Sequence, residues 1–147
     1  WFARLTGDNP LVSVELAKIL IKKIDDAFDY IAFDKNLIPN GSGIELINKQ
    51  TFLKIESNDL DKYEKEHVTL RLYEKENFYN CKILKPPRSY RYPKIRITLD
   101  YEEDYILLKK LFDIKDKLDL KELIKISRKN ELLFKINSSL IQKDARK

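Results

Sequence analysis

The sequence has only one cysteine, one histidine and three glycines among its 147 residues, and it has no methionine. The single thiol, Cys81, cannot form an internal disulfide, which favours a reducing compartment, with the cytoplasm as the default expectation. One cysteine and one histidine also exclude a tetrahedral zinc site. Long hydrophobic runs are absent as well, because lysines interrupt the stretch 16–24 before the ~18 residues that a membrane-spanning helix needs.

The composition is that of an ordinary globular domain. Hydrophobic residues make up 43% and aromatic residues 11% of the chain, which is enough to fill one core. Lysine and arginine exceed aspartate and glutamate by 29 to 24, and both signs are mixed along the chain, which is typical of a solvated surface. Because the chain begins at Trp1 in an apolar strand without an initiator methionine, we expect residues 1–147 to be a single-domain fragment of a longer protein.

Hydrophobic periodicity predicts strands that alternate with helices. The strands are predicted over residues 1–6, 29–33, 43–47, 80–84 and 94–99. The helices are predicted over residues 11–24, 48–55, 62–76, 102–112, 118–127 and 131–135, with Ser13 and Asn48 as N-caps of the first two. Three prolines exclude a helix from residues 85–93. This alternation predicts an α/β domain whose largely parallel sheet is covered by helices on both faces.

The three glycines lie in two turns, with Gly7 in one and Gly41 and Gly43 in the other. Because glycine is so scarce here, we expect these turns to need a positive φ angle or a close approach of a ligand to the backbone. Plain tight turns would use the same residues without either requirement, so this alternative stays open.

Two aspartates end predicted strands, Asp8 after the first strand and Asp100 after the strand 94–99. Ligands of open α/β sheets bind beyond the carboxyl ends of the strands, so acids at these ends are better candidates than acids on helices. Facing carboxylates repel each other unless a cation lies between them, and magnesium favours one or two carboxylates together with phosphate oxygens. The pair predicts a magnesium and nucleotide site, although strand-end aspartates also serve as N-caps and turn formers.

Four segments carry a family resemblance. Residues 3–11, Ala-Arg-Leu-Thr-Gly-Asp-Asn-Pro-Leu, resemble the RxTGDxPL segment of cytidylyltransferases of the spore-coat polysaccharide type, relatives of the CMP-Kdo and CMP-acylneuraminate synthetases. Residues 66–69 (Glu-His-Val-Thr), 96–104 and 135–138 resemble further motifs of this family, in the right order. The resemblance implies a three-layer α/β/α fold of the nucleotide-diphospho-sugar transferase (GT-A-like) type with a mixed, mostly parallel sheet. It covers only the carboxyl-terminal part of the family's domain, so the sheet would be incomplete.

The resemblance also implies a reaction. In the related synthetases, the aspartates that correspond to Asp8 and Asp100 bind magnesium. A sugar hydroxyl would attack the α-phosphorus of CTP and release pyrophosphate, and an acidic sugar would be activated as its CMP derivative for surface polysaccharide or glycan synthesis. The loop that grips the triphosphate would lie upstream of Trp1, so the fragment alone is expected to be inactive. A homodimer is implied by the resemblance alone.

Arg4 is a further candidate for catalysis. It lies four residues before Asp8 on the first strand, and strand alternation directs both side chains to the same face until the turn intervenes. Its guanidinium would orient a phosphate or a sugar carboxylate. Alternatively, it would pair with a neighbouring acid and fix the edge of the sheet.

Asn40, Glu45 and His67 are the candidates for binding the substrates. Residues 39–45 resemble a family segment written PDGLDVE, in which Glu45 keeps its register, whereas Asn40 and Gly43 stand where family members commonly have aspartate. His67, the single histidine, would serve as an acid, a base or a sugar ligand. A structural position on its predicted helix is the alternative for this residue.

Residues 85–92 mix lysine, arginine and tyrosine, a combination that also occurs in nucleic-acid-binding proteins. Because the net charge is only +5, we expect no nucleic-acid partner, and the interrupted apolar runs predict no membrane partner. The resemblance implies CTP and an acidic sugar as substrates. Two alternatives stay open: a non-catalytic scaffold or regulatory module of the same fold, and a basic RNA-binding domain.

Overall fold

The computed structural model describes residues 1–55, 60–67, 69–74 and 78–140. In these ranges the strands are β1 (Phe2–Arg4), β2 (Tyr30–Phe33), β3 (Glu45–Ile47) and β4 (Cys81–Leu84). The helices are α1 (Val14–Ile21), α2 (Lys49–Leu53), α3 (Lys62–Glu66), α4 (Leu70–Glu74), α5 (Glu102–Ile114), α6 (Leu120–Lys129) and α7 (Glu131–Phe134), with a 3₁₀ turn at Arg88–Tyr90. Among them, no helix is long and apolar enough to cross a membrane.

The four strands form one mixed sheet in the order β1-β3-β2-β4. β3 is antiparallel to both of its neighbours, whereas β2 and β4 pair in parallel. β1, β2 and β4 therefore run in one direction, and their carboxyl ends lie at the same end of the sheet. The predicted mixed sheet is confirmed. Two of its three strand pairs are antiparallel, because β3 lies between β1 and β2 and runs in the opposite direction.

Helices cover both faces of this sheet, because successive side chains of a strand point to opposite sides. On one face, Ile31 and Leu46 pack with buried side chains of α1, α5 and α6. On the other face, Tyr30 and Ile47 pack with Leu72 of α4. The predicted three-layer α/β/α arrangement is confirmed.

Both predicted N-caps are observed. The hydroxyl of Ser13 accepts a hydrogen bond from the backbone N–H of Leu16 at 3.2 Å, and the side chain of Asn48 accepts one from Gln50 at 2.9 Å. Each cap satisfies a backbone donor that the first turn of a helix leaves without a partner. The beginnings of α1 and α2 are therefore determined by local sequence.

The single helix predicted over residues 62–76 is two short helices, α3 and α4. α3 begins at a capping box between Asp61 and Glu64. It ends at His67, whose φ of −106° and ψ of 77° are not helical. Residues 68, 75 and 76 lie outside the described residues, so that part of the prediction is untested.

The strand predicted over residues 94–99 pairs with loops instead of with a neighbouring strand. Ile95 accepts a hydrogen bond from the backbone N–H of Asn40 at 3.1 Å, and Ile97 donates to the carbonyl oxygen of Asn40 at 2.8 Å. These two bonds form an isolated parallel bridge. Further along, the segment reaches the loop that follows β1, so no continuous ladder forms.

This segment passes directly over Gly41, whose φ is +91°. A Cβ at this position would lie 2.6 Å from the backbone nitrogen of Thr98 and 2.8 Å from the carbonyl carbon of Ile97. The positive φ expected from the scarcity of glycine is confirmed at Gly41, and the group that approaches closely is the chain's own backbone. Gly7 and Gly43 do not have a positive φ.

Gly41→Ala is expected to lower the free energy of unfolding by at least ~2 kcal/mol, because the new Cβ meets backbone and the φ angle disfavours a side chain. Gly7→Ala is the matched control, since nothing lies within 4 Å of a Cβ at that position. Urea unfolding measures both variants. Equal stability of the two would contradict the close approach at Gly41.

Candidate active site beyond the end of β1

Asp8 follows β1 and lies beside the residues that precede Asp100. The carbonyl oxygen of Asp8 accepts hydrogen bonds from the backbone N–H of Leu99 at 2.8 Å and from the hydroxyl of Thr98 at 3.3 Å. The fold therefore brings together the two chain segments that carry the predicted metal ligands.

One carboxylate oxygen of Asp8, Oδ1, is buried and has no hydrogen-bond partner in the described part of the chain. A buried polar atom without a partner costs about 1–3 kcal/mol, so it indicates a place where a group from outside the chain completes the site. The described ranges contain no group of three or more His, Cys, Asp or Glu side chains that could hold a metal ion. A cation bound by Asp8 would therefore take its further ligands from a second carboxylate, substrate and water.

Asp100 is held in place by Arg96. Nη2 of Arg96 donates to Oδ2 of Asp100, and Nε and Nη2 donate to the two carboxylate oxygens of Asp104, each at 2.9 Å. The guanidinium carbon also lies 5.5 Å from the ring centre of Tyr101. Because the Arg96 side chain is only 8% exposed, these contacts fix the direction of the Asp100 carboxylate.

Asp104, which is fully buried, organises the turn that carries Asp100. Its Oδ2 accepts hydrogen bonds from the backbone N–H groups of Asp100 at 3.0 Å and Tyr101 at 3.2 Å, and its Oδ1 accepts one from Asn137 at 2.7 Å. Burial alone would raise the pKa of Asp104, but the hydrogen bonds from Arg96 and Asn137 outweigh it and hold this pKa below its usual value. Burial opposes the charge of Arg96 too, and its contacts with the two carboxylates nevertheless raise its pKa.

No sequence pattern assigned a role to Arg96, Asp104 or Asn137. All three fall in the segments 96–104 and 135–138 that resemble family motifs, so the signal lay in motif positions and not in spacing. Asp104 and Asn137 are 33 residues apart, and only the packed fold shows that they are partners.

The formal charge around Asp100 is negative, which suits a cation. Asp100 and Asp104 contribute two carboxylates and Arg96 contributes one guanidinium, which leaves one negative charge uncompensated. The carboxylate of Asp8 is a further negative charge on the neighbouring segment. Because Asp104 already neutralises Arg96, the negative charge of Asp100 remains available to attract a cation. The charge and the type of ligand atoms both fit a hard divalent cation such as magnesium.

A second polar cluster lies where Arg4 ends β1 and pairs in register with Glu45 at the start of β3. Nη1 of Arg4 donates to Oε2 of Glu45 at 2.7 Å and to the hydroxyl of Thr69 at 3.4 Å. The hydroxyl of Tyr30 donates to Oε1 of Glu45 at 2.6 Å. Burial and, after it, the charge of Glu45 raise the pKa of Tyr30 far above its usual value, so this hydroxyl remains a donor.

Arg4 therefore pairs with a neighbouring acid, as the alternative to a catalytic role predicts. Only one of its three guanidinium nitrogens, Nη1, donates to an acceptor within the described residues. Nε and Nη2 donate to no acceptor within the described residues, and the side chain is 26% exposed. Both oxygens of Glu45, in contrast, accept hydrogen bonds within the chain, including those from Thr69 at 3.2 and 3.0 Å. Arg4 can bind an anion from outside while Glu45 holds it in place.

The other two sequence candidates have backbone roles. Asn40 is exposed, and its backbone bridges the segment 94–99 to the Gly41 turn. His67 is half-buried, its N–H donates to the carbonyl oxygen of Tyr63 at 2.7 Å, and its own carbonyl oxygen accepts from Leu70 at 2.7 Å. These bonds join α3 to α4, and substrate binding by Asn40 or His67 stays a prediction.

Comparison with known proteins identifies relatives over most of the chain. An uncharacterized protein of Methanocaldococcus jannaschii is 35% identical over 147 residues, which cover 97% of this chain and 59% of that protein. The spore coat polysaccharide biosynthesis protein SpsF of Bacillus subtilis is 35% identical over 111 residues, which cover 74% of this chain and 45% of SpsF. The chain thus spans about half the length of the curated relatives that it matches.

A solved structure of a cytidylyltransferase from Leptospira borgpetersenii serovar Hardjo-bovis shares the fold, with a TM-score of 0.80 at 20% identity. The match covers 97% of this chain and 60% of that structure. A comparison with family models matches residues 2–140 to the family described as cytidylyltransferase. Because this match includes nearly all of the described residues, the chain belongs to the cytidylyltransferase family.

Proposed function

We propose that the protein carrying this chain transfers the cytidylyl group of CTP to an acidic sugar and thereby supplies an activated sugar for surface polysaccharide synthesis. Family membership supports cytidylyl transfer, and the similarity to SpsF supports a role in polysaccharide synthesis. The observation that carries the proposal is the buried, partnerless Oδ1 of Asp8 beside the segment that ends in Asp100.

Asp8 and Asp100 are the residues that would hold a magnesium ion. When bound, the ion would neutralise charge on the phosphates of CTP. Arg96 keeps Asp100 in one orientation, and Asp104 offsets the positive charge of Arg96, which would otherwise oppose a cation next to Asp100.

In the proposed reaction, a sugar hydroxyl attacks the α-phosphorus of CTP and a new oxygen–phosphorus bond forms. The hydroxyl proton is released to solvent, and the bond to the bridging oxygen breaks to release pyrophosphate. Arg4 would orient the carboxylate of the sugar or a phosphate through Nε and Nη2, with Glu45 as its positioning residue. A direct displacement of this kind requires no covalent enzyme intermediate.

Pyrophosphate release by the purified full-length protein tests this function. We expect release from CTP in the presence of magnesium and at least one member of a panel of acidic sugars, and none with the corresponding neutral sugars. A folded protein that releases no pyrophosphate with any acidic sugar, or equal amounts with neutral sugars, would overturn the proposal.

Arg4→Ala is expected to raise the KM of the bound anion about ten- to hundredfold, because a charge-assisted hydrogen bond to it is lost. A rise in the KM of the sugar assigns Arg4 to the sugar carboxylate, and a rise in the KM of CTP assigns it to a phosphate. Arg4→Lys keeps the positive charge but loses the planar guanidinium that can donate two parallel hydrogen bonds, so it should retain part of the affinity for the anion. If the melting temperature falls and neither KM changes, Arg4 serves only to pair with Glu45.

A further inference from the structure

A row of cations lies on one side of α6. Lys121, Lys125, Arg128 and Lys129 are spaced so that their side chains fall within about 100° around the helix axis. All four are exposed, whereas the opposite side of α6 is buried in the core. The helix is therefore attached to the domain by its apolar side and presents only positive charge along this row.

The 3₁₀ turn and the residues after it extend this row. The ammonium group of Lys121 lies 5.1 Å from the ring centre of Tyr90, and the guanidinium carbon of Arg128 lies 5.2 Å from that of Tyr92. These cation–π contacts attach residues 88–92 to α6. The basic surface is defined here by six exposed residues: Arg88, Arg91, Lys121, Lys125, Arg128 and Lys129.

The six side chains of the basic surface carry a formal charge of +6. None of the six forms an ion pair with a carboxylate in the part of the chain that the structure describes. Like charges four residues apart on a helix repel one another, so this arrangement indicates an anionic partner.

A shallow, open depression of about 490 Å³ lies on the basic surface. It is lined by Ser89, Ile124 and the four cations of α6, with no carboxylate among the lining residues. Lysine and arginine contribute aliphatic stems as well as charged groups, so the depression offers both apolar contact and positive charge. A basic surface of this kind is attracted to anionic lipid headgroups.

An anionic lipid surface fits these features better than a nucleic acid does. Proteins that bind single strands stack bases on exposed aromatic rings, but Tyr90 is buried and Lys121 and Arg128 already cover the rings of Tyr90 and Tyr92. Binding at a lipid surface needs positive charge and an adjacent apolar side chain. Leu132, which is 75% exposed, lies on α7, the helix that follows α6 in the chain, and is a candidate for this apolar contact.

We propose that the basic surface docks the protein on the anionic headgroups of a lipid membrane, without any segment crossing it. The proposal departs from the sequence-based expectation of no membrane partner, and the experiment below decides between the two. The proposal is independent of the reaction proposed above, because no residue of the basic surface belongs to the Asp8 and Asp100 site or to the Arg4 cluster.

Sedimentation of the full-length protein with vesicles tests the proposal. We expect binding to vesicles of phosphatidylglycerol and phosphatidylcholine in equal parts, little binding to phosphatidylcholine alone, and a steep loss of binding as salt is added. Each lysine removed from the surface should weaken binding about fivefold, so Lys121→Gln combined with Lys125→Gln should weaken it about thirtyfold.

The matched control is Lys49→Gln combined with Lys54→Gln, which removes the same charge beside α2, where Phe52 packs on the opposite face of the sheet. This control should weaken binding less than about threefold. Circular dichroism verifies that both double variants are folded. Equal loss in the control, no binding to anionic vesicles, or tighter binding to a single-stranded oligonucleotide than to the vesicles would overturn the proposal.

Discussion

Asp8→Asn is expected to lower kcat for pyrophosphate release from CTP by about two to three orders of magnitude. The substitution keeps the size of the side chain but removes the negative charge from Oδ1, a buried carboxylate oxygen that has no hydrogen-bond partner among the described residues. A neutral amide is a poor ligand for a hard divalent cation, so the magnesium concentration that gives half-maximal activity should rise as well. Steady-state kinetics at several magnesium concentrations measure both effects.

Stability separates this role from a structural one. Because Oδ1 of Asp8 has no hydrogen bond to lose, Asp8→Asn should leave the free energy of unfolding unchanged or raise it. Asp116→Asn, in the exposed stretch after α5, is the control and should change neither quantity. An Asp8→Asn variant with full activity would refute the assignment of Asp8 to the metal site, whatever the substrate. Activity lost together with stability would indicate a structural role instead.

The sequence predicts this site as far as the carboxyl ends of strands can be recognised. The buried pattern of β2 and the N-caps Ser13 and Asn48 depend on local preferences, so their elements are predicted correctly. The position of Asp8 after β1 is predicted correctly as well, because the apolar residues of β1 and the polar turn after it are also a local pattern. The rule that ligands bind beyond the carboxyl ends of strands selects both Asp8 and Asp100 as candidates. Residues 94–99, however, form a single bridge to Asn40 in place of the predicted strand.

Strand direction and long-range pairing are not encoded locally. A strand such as β3 has the same alternation in either direction, and only the sheet shows that it runs opposite to β1 and β2. In the same way, the charge of Arg96 predicts an acidic partner but not which one. Asp104 is selected because the first turn of α5 brings its carboxylate to the backbone N–H of Asp100 and to Asn137.

Asp104→Asn is expected to lower the free energy of unfolding by about 3 kcal/mol, because it leaves the buried guanidinium of Arg96 with only one carboxylate. A loss of this size corresponds to a fall of about 6–12 °C in melting temperature for a domain of this length. Asp104 also accepts from the backbone of Asp100, so activity should fall with stability. Glu122→Gln is the control, since Glu122 pairs with Lys115 in solvent and its loss should shift the melting temperature much less.

The effect of Asp104→Asn should depend on pH in a direction that its contacts determine. Because the pKa of Asp104 lies below its usual value in the folded protein, its contribution to stability is complete above about pH 4 and is lost as the pH falls through the folded pKa. The difference in unfolding free energy between the native protein and Asp104→Asn should therefore be constant near neutral pH and shrink under acid conditions. Urea unfolding at a series of pH values measures this difference. A difference that persists unchanged to the lowest pH would mean that Asp104 acts through its shape and hydrogen bonds, and that its charge does not hold Arg96 against Asp100.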